Sequence, residues 1–248
     1  MKRRLDQLLV ERGLAPSRER ARALILAGHV TIDGAAAAKA GTSVDDASNV
    51  VLRTPDHPWV GRGGIKLAHA LDVFEIDPAG LLALDVGAST GGFTDVLLQR
   101  GARAVVALDV GHSQIDWRLR TDARVHVIEG VNARHLEPAD LPEDARTFDL
   151  VTVDVSFISL KHILPKLPAL LSPAARVIAL VKPQFEAGRE EVGKGGIVRD
   201  PDVHARVLDE VGRAALAVGL ERVGVEPSPI EGAEGNREFF IVLKLSAP

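Results

Sequence analysis

The sequence predicts an α/β chain: a doubly wound, mostly parallel seven-stranded sheet ending in an antiparallel pair, with a small α+β unit ahead of it. Three observations predict it. Short runs dense in Val, Ile and Leu recur from Leu81 onward and alternate with amphipathic segments, as parallel strands buried on both faces must. The first of these runs leads into a glycine-rich turn, Asp85-Val86-Gly87-Ala88-Ser89-Thr90-Gly91-Gly92-Phe93. The opening sixty residues carry nine Lys/Arg and seven Asp/Glu, leaving 21 basic against 27 acidic residues for the remainder. The expected division is a first domain over 1–56, a linker over 57–61 and a second domain over 62–248.

Composition narrows the function classes. With 46% hydrophobic and 26% charged residues the chain is ordinary globular protein. The absence of cysteine excludes disulfides and thiolate metal sites and makes a cytoplasmic address the simple expectation. Eight scattered histidines offer no ligand cluster, so no metal is expected. No stretch approaches the roughly 20 apolar residues of a spanning helix, and the basic start, Met1–Gln7, has no signal-peptide core behind it. The net charge of −4 argues against a nucleic-acid partner on average, but residues 1–28 hold seven basic groups against three acidic ones, a local balance that suits RNA.

In the first domain, Leu5, Leu8 and Leu9 recur at helical spacing and Gly13 closes that helix. Ser17 can cap a second helix with an apolar stripe of Ala21, Leu24 and Ile25, while Arg18 and Arg22 share another face with Arg20 beside them. Gly28 ends it, and Val30-Thr31-Ile32-Asp33-Gly34 reads as a short strand entering a tight turn. Pro55-Asp56-His57-Pro58-Trp59 reads as the linker, with Trp59 expected to pack between domains.

In the second domain, strands are expected at 82–86, 105–110, 125–128, 150–155, 177–181, 223–226 and 239–245. The last two have no helix between them, hence the terminal antiparallel pair. Ligands of such sheets sit at the carboxyl ends of the strands. A dinucleotide fingerprint would want glycine at Ser89. Gly87-Ala88-Ser89-Thr90-Gly91 also matches a hydrolase nucleophile elbow, but that fold needs a late triad histidine and the last one here is His204. What remains is a loop of small residues that lets the backbone approach a nucleoside and an amino acid, as S-adenosylmethionine requires. Asp109, at the end of the second strand, can take ribose hydroxyls, and Asn132, after the third, is placed for adenine. Asp154 and Lys182 follow the fourth and fifth strands, each a charge directly after buried apolar residues, which is costly unless partnered. Pro183 forces Lys182 into an extended conformation rather than starting a helix. Pro183–Asp200 is expected to be one long loop, functional or mobile.

These residues carry a resemblance. Arg4-Leu5-Asp6, Ser17-Arg18-Glu19-Arg20-Ala21 and Gly28–Gly34 resemble the small RNA-binding fold named after ribosomal protein S4. That resemblance implies RNA-phosphate contacts from Arg3, Arg4, Arg18, Arg20, Arg22 and Lys39. Lys66, Asp154, Lys182 and Glu238 resemble the Lys-Asp-Lys-Glu tetrad of FtsJ-like ribose 2′-O-methyltransferases, and the whole chain is similar to the TlyA family, also called hemolysin-like. Its most specific stretches are 87–94, 154–160 and 181–186.

The resemblance implies a Rossmann-like class I methyltransferase that uses S-adenosylmethionine to methylate a cytidine ribose in ribosomal RNA, with rRNA or a ribosomal subunit as partner and no membrane. Asp85, Gly87, Ser89, Thr90, Gly91, Gly92, Phe93, Asp109 and Asn132 would form the cofactor site. Lys182, aided by burial and by the neighbouring cation Lys66, is the candidate base, with Asp154 and Glu238 orienting the two lysines. Two departures stand out. His57-Pro58-Trp59-Val60 replaces the family's Arg-Ala-Trp-Val, and the sequence stops three residues after Leu245, which points to the narrower, large-subunit activity. A non-catalytic RNA-binding assembly factor and a membrane-active hemolysin are the alternatives.

Overall fold

The computed structural model describes residues 2–26, 28–37, 39–52, 57–232 and 235–246. It contains two compact units, Met1–Pro58 and Trp59–Pro248. Pro55 and Asp56, at the start of the expected linker, lie outside the described residues.

The first unit runs β1 (Lys2–Arg4), α1 (Leu5–Glu11), α2 (Arg18–Leu26), β2 (Val30–Ile32), β3 (Ala35–Ala36), β4 (Ser43–Asp45) and β5 (Val50–Leu52). Strand β1 pairs with β4, and β2 lies between β3 and β5, all antiparallel. Arg3 and Arg4 therefore sit on a strand, not on a helix. Ser17 Oγ caps α2 by accepting the Arg20 N–H at 3.2 Å, and Gly13 and Gly28 close the two helices with positive φ. Leu5, Leu8, Leu9, Ala21, Leu24 and Ile25 fill the core with Val30, Val44 and Val50. Fully burying one such side chain contributes about 1.5–3 kcal/mol.

The second unit begins with α3 (Gly63–Val73), then β6 (Leu82–Val86), α4 (Gly92–Gln99), β7 (Ala104–Asp109), α5 (Trp117–Arg120) and β8 (Val125–Glu129). It continues with β9 (Phe148–Val153), β10 (Leu171–Val181), α6 (Pro183–Glu186), α7 (Pro201–Leu216), β11 (Leu220–Pro227) and β12 (Phe239–Leu245). The seven strands order as β11-β12-β10-β9-β6-β7-β8. Strands β6 to β10 run parallel, and β12 is antiparallel to both β10 and β11. Alternate residues serve opposite faces. Leu82, Leu84 and Val86 of β6, with Val177, Ala179 and Val181 of β10, pack with Val207, Val211 and Ala215 of α7. Ala83, Ile178 and Leu180 pack with Leu67 and Leu71 of α3 and Val96 and Leu97 of α4.

Within the second unit Trp59 packs against the α3–α4 side of the core, and the Val60 N–H donates to Asp95 Oδ2 at 2.8 Å. Two expectations are corrected. The β8–β9 and β9–β10 connections hold no α-helix but single 3₁₀ turns, at Ala133–His135, Pro138–Asp140, Leu160–His162, Leu164–Lys166 and Pro168–Leu170. Pro138, Pro165 and Pro168 each lack an N–H and restrict the preceding residue, so an α-helix cannot propagate there. Finally, Lys182 is extended (φ −111°, ψ 100°) as expected, but Pro183 then starts α6, and the segment to Asp200 is not one open loop. Proline tolerates the first helical position, where its missing N–H is not needed.

Candidate active site

The carboxyl ends of the parallel strands open into two adjoining cavities. The turn after β6 forms their shared floor. Gly87 has φ +87°, and a Cβ there would lie 2.5 Å from the carbonyl oxygen of Asp154, so only glycine lets the turn lie against the loop after β9. Gly91 (φ +93°) caps α4 in the same left-handed region, and a Cβ on it would strike Leu119. These two glycines are thus explained by packing inside the protein. Ser89 also has positive φ, and its N–H donates to Asp109 Oδ2 at 2.8 Å, tying the β6 turn to the end of β7.

The first cavity, about 290 Å³, is lined by Lys66, Asp154, Lys182 and Glu238 together with Gly87, Ser89, Thr90, Gly92 and Phe93. The four charges come from α3, the end of β9, the end of β10 and the segment before β12. They pair two by two. Lys66 Nζ donates to Glu238 Oε2; Lys66 is 6% and Glu238 4% exposed, so neither is a surface helix lysine or an edge salt-bridge partner. Lys182 Nζ lies 2.7 Å from Asp154 Oδ1, off the hydrogen-bond direction, so this is an ion contact. Its directed hydrogen bond goes to Ser156 Oγ at 2.8 Å.

The second cavity, about 530 Å³, shares Gly87, Ser89 and Asp154 with the first and adds Asp109 and Asn132 over apolar walls of Leu108, Val131 and Ile163. Asp109 Oδ1 accepts the Gly111 N–H at 2.7 Å and Oδ2 the Ser89 N–H. A carboxylate has about four acceptor sites, so two remain. Asn132 lines this cavity while its Oδ1 accepts the Arg134 N–H at 3.0 Å, capping the 3₁₀ turn that follows.

Asp85 and Gly91 line neither cavity. Asp85 is fully buried beneath the loop, its Oδ2 accepting from Thr94 Oγ1 at 2.7 Å and its Oδ1 from Thr152 Oγ1 at 3.0 Å. Burial pushes its carboxyl up to about 6 against the pull of these two hydroxyls, and the Asp154 charge adds to the rise.

In the first unit, Arg4, Arg18 and Arg22 converge on one residue. Asp6 has no exposed surface, yet what covers it is guanidinium rather than deep core. Arg4 donates to both its oxygens at 3.0 Å, and Arg18 and Arg22 each to Oδ2 at 3.2 Å. Arg4 first, then Arg18 and Arg22, hold the Asp6 carboxyl well below the usual carboxylate range. The three arginine side chains remain 47%, 47% and 53% exposed. Arg3 is paired with Glu11 and Asp46, Arg20 bonds within the unit, and Lys39 is exposed.

Sequence reasoning missed Ser156, Phe157 and Phe185, which line the cavities. Phe157 combines positive φ with 90% exposure, its ring 5.1 Å from that of Phe185. The run Asp154–Leu160 was the available signal: polar and aromatic residues directly after a buried strand.

Residues 59–245 match the FtsJ-like methyltransferase family and residues 3–51 the S4 domain. The 16S/23S rRNA (cytidine-2′-O)-methyltransferase TlyA of Mycobacterium tuberculosis is 49% identical over 97% of this chain and 89% of its own length. Hemolysin A of Brachyspira hyodysenteriae is 38% identical over 96% of this chain and 98% of its own. A solved structure of a hemolysin-named protein from Streptococcus thermophilus superposes with a TM-score of 0.78 at 44% identity, covering 99% of this chain and 89% of that one. The chain belongs to the FtsJ-like methyltransferase family, in the TlyA branch that joins an S4 domain to the methyltransferase fold.

Proposed function

We propose that this member of the FtsJ-like methyltransferase family transfers a methyl group from S-adenosylmethionine to the 2′-hydroxyl of a cytidine in ribosomal RNA, acting in the cytoplasm. The observation that carries the reading is the pair of ion pairs, Lys66–Glu238 and Lys182–Asp154, facing one cavity beside a second cavity fitted to a nucleoside.

The second cavity suits the cofactor on the chemistry of its donors. Asp109 keeps two acceptor sites for ribose hydroxyls, the apolar walls suit a purine, and Asn132 stands beside them. Gly87, Ser89, Thr90, Gly92 and Phe93 would hold the amino-acid end where the cavities meet, with Asp85 and Gly91 shaping that loop from below. When bound, S-adenosylmethionine supplies a methyl group on a sulfonium, an electrophile that needs no further activation.

The protein's own task is to make a weak nucleophile attack. A ribose hydroxyl is scarcely ionised at neutral pH, so it must lose its proton as it reacts. Having released its own proton to solvent, Lys182 Nζ takes up the hydroxyl's, Asp154 keeps the nitrogen at the cavity by charge, and Lys66, fixed by Glu238, keeps a positive charge beside the developing oxyanion. The remaining work is alignment, which buried, paired side chains provide without reorganising. In the first unit, Arg4, Arg18, Arg22 and Lys39, with Arg3 and Arg20 beside them, contact RNA phosphates; guanidinium groups grip the backbone while reading little sequence.

A non-catalytic assembly factor would have no need of four charges aimed into one cavity. For the lytic reading, no helix among the described residues is long and apolar enough to cross a membrane. The test is methyl transfer from radiolabelled S-adenosylmethionine to isolated large and small subunits and to free rRNA, large-subunit RNA first. Label recovered in 2′-O-methylcytidine is the expected result. A protein that binds the cofactor and labels no RNA would be an assembly factor instead.

A further inference from the structure

The loop after β9 and the helix after β10 are fastened together at three successive places. At the cavity end, Lys182 Nζ donates to Ser156 Oγ at 2.8 Å while touching Asp154. In the middle, the Phe157 and Phe185 rings pack at 5.1 Å. At the far end, Glu186 Oε2 accepts from Ser159 Oγ at 2.6 Å and Oε1 from the Leu160 N–H at 2.7 Å. Lys182 and Glu186 thus bracket α6, and Ser156 and Ser159–Leu160 bracket the segment it grips.

The chemistry of the outer contact is what makes the inner one specific. A lysine side chain has four rotatable bonds, and an ion contact alone leaves its nitrogen free to swing around the carboxylate. The Asp154 contact lies off the hydrogen-bond direction, so Asp154 attracts the nitrogen without aiming it. Ser156 Oγ supplies the directed acceptor, and it lines both cavities, at the boundary where a reacting oxygen and a transferring methyl would meet. Ser156 itself stands on an exposed loop whose next residue, Phe157, is held in the left-handed region, so the hydroxyl's position depends on what anchors that loop. Glu186 anchors it through two hydrogen bonds made by one carboxylate. Burial raises the Glu186 carboxyl, against the pull of the Ser159 hydroxyl and the Leu160 N–H.

We propose that Ser156 is a positioning residue for methyl transfer, aiming the Lys182 nitrogen across the junction of the two cavities, and that Glu186 acts through it by fixing the loop. The inference rests on the 2′-O-methyltransferase reading. It assigns Ser156 a task that Asp154 cannot perform alone, and it makes Glu186 matter to a reaction it does not touch.

The experiment uses the full-length protein with its rRNA substrate. Wild type is assayed first; absence of ribose-linked label there overturns the methyltransferase reading itself, before any variant is compared. Ser156→Ala is then predicted to lower kcat by about 10–100-fold while the Kd values for S-adenosylmethionine and RNA stay within about twofold. Ser156→Thr, which keeps the acceptor, restores kcat to within about threefold of wild type. Glu186→Gln lowers kcat by about 3–10-fold in the wild-type background and adds nothing in the Ser156→Ala background, because its effect passes through the same hydroxyl. Three results would overturn the proposal: Ser156→Ala with kcat within twofold of wild type, a loss confined to cofactor or RNA affinity, or full additivity of the Ser156 and Glu186 changes. Because Ser156 is exposed, its substitution leaves the core intact, and the kcat effect is read on folded protein.

Discussion

Asp6 and Asp85 are both buried carboxylates without exposed surface, one in each unit, and they differ in almost everything else. Asp6 faces three guanidinium groups and is held ionised; Asp85 faces two threonine hydroxyls and is pushed toward its neutral form. Around Asp6 one negative charge organises three half-exposed arginines, so the cluster keeps a net positive face toward the outside. Above Asp85 the charges are matched one to one, buried Lys66 with buried Glu238 and buried Lys182 with half-buried Asp154. The first arrangement serves affinity for a polyanion. The second serves chemistry, because matched pairs give little long-range attraction but keep both nitrogens at the cavity where a proton must leave the nucleophile. The difference predicts that substitutions in the two units fail in different ways.

The largest effect belongs to the cavity. Lys182→Ala should lower kcat for methyl transfer by about 10²–10⁴-fold, the usual contribution of a positioned base, with RNA affinity in a filter-binding assay nearly unchanged. A comparable loss of RNA binding would break the division of labour between the units.

Next comes the Asp85–Asp6 contrast, read as stability against pH. The folded-state value of Asp85, about 6, lies above its ordinary 3.8, so between them the folded protein holds more protons than the unfolded one. Asp85's own contribution to stability therefore falls as pH rises from about 4 to 7. Asp85→Asn removes that titration, and its stability relative to wild type should improve by about 2–3 kcal/mol over the same range in urea melts. A difference that does not change with pH would contradict the burial account of Asp85. For Asp6 the sign is opposite: its contribution is present above the ordinary carboxylate range and is lost as pH falls below it.

The arginine cluster sharpens the comparison from the other side. Arg18→Gln with Arg22→Gln should weaken RNA binding and lower the slope of log K against log salt by about 1.5, the loss of two phosphate contacts, while kcat at saturating RNA holds. An unchanged slope would mean that neither arginine meets phosphate. The smallest effect is expected of Lys39→Gln, a single exposed cation: a slope change of about 0.7 and at most a few-fold in Kd by the same titration.

Much of this was legible in the residues, for physical reasons. Strands β6 and β12 begin and end where the sequence says, because short, predominantly apolar runs have one way to be buried. Asp154 and Lys182 stood out because a charge after such a run needs a partner, and each proved to be the other's. What stayed hidden depends on contacts distant in sequence. Nothing local to Asp6 says that Arg18 and Arg22, 12 and 16 positions on, will close over it. The grip of Glu186 on Ser159 and Leu160 joins segments 26–27 residues apart. Asp85 read as a cofactor ligand because it opens the glycine-rich turn, yet strand alternation points its side chain down toward Thr94 and Thr152.

The most direct test of the central claim is single-turnover methyl transfer to rRNA at saturating S-adenosylmethionine and RNA, with the product digested to nucleosides, for wild type, Lys182→Ala and the Arg18→Gln, Arg22→Gln protein. The account predicts 2′-O-methylcytidine from wild type and from the arginine variant at similar rates once RNA is saturating, and a rate at least about 100-fold lower from Lys182→Ala. Methylation on a base, or undiminished ribose methylation by Lys182→Ala, would contradict it.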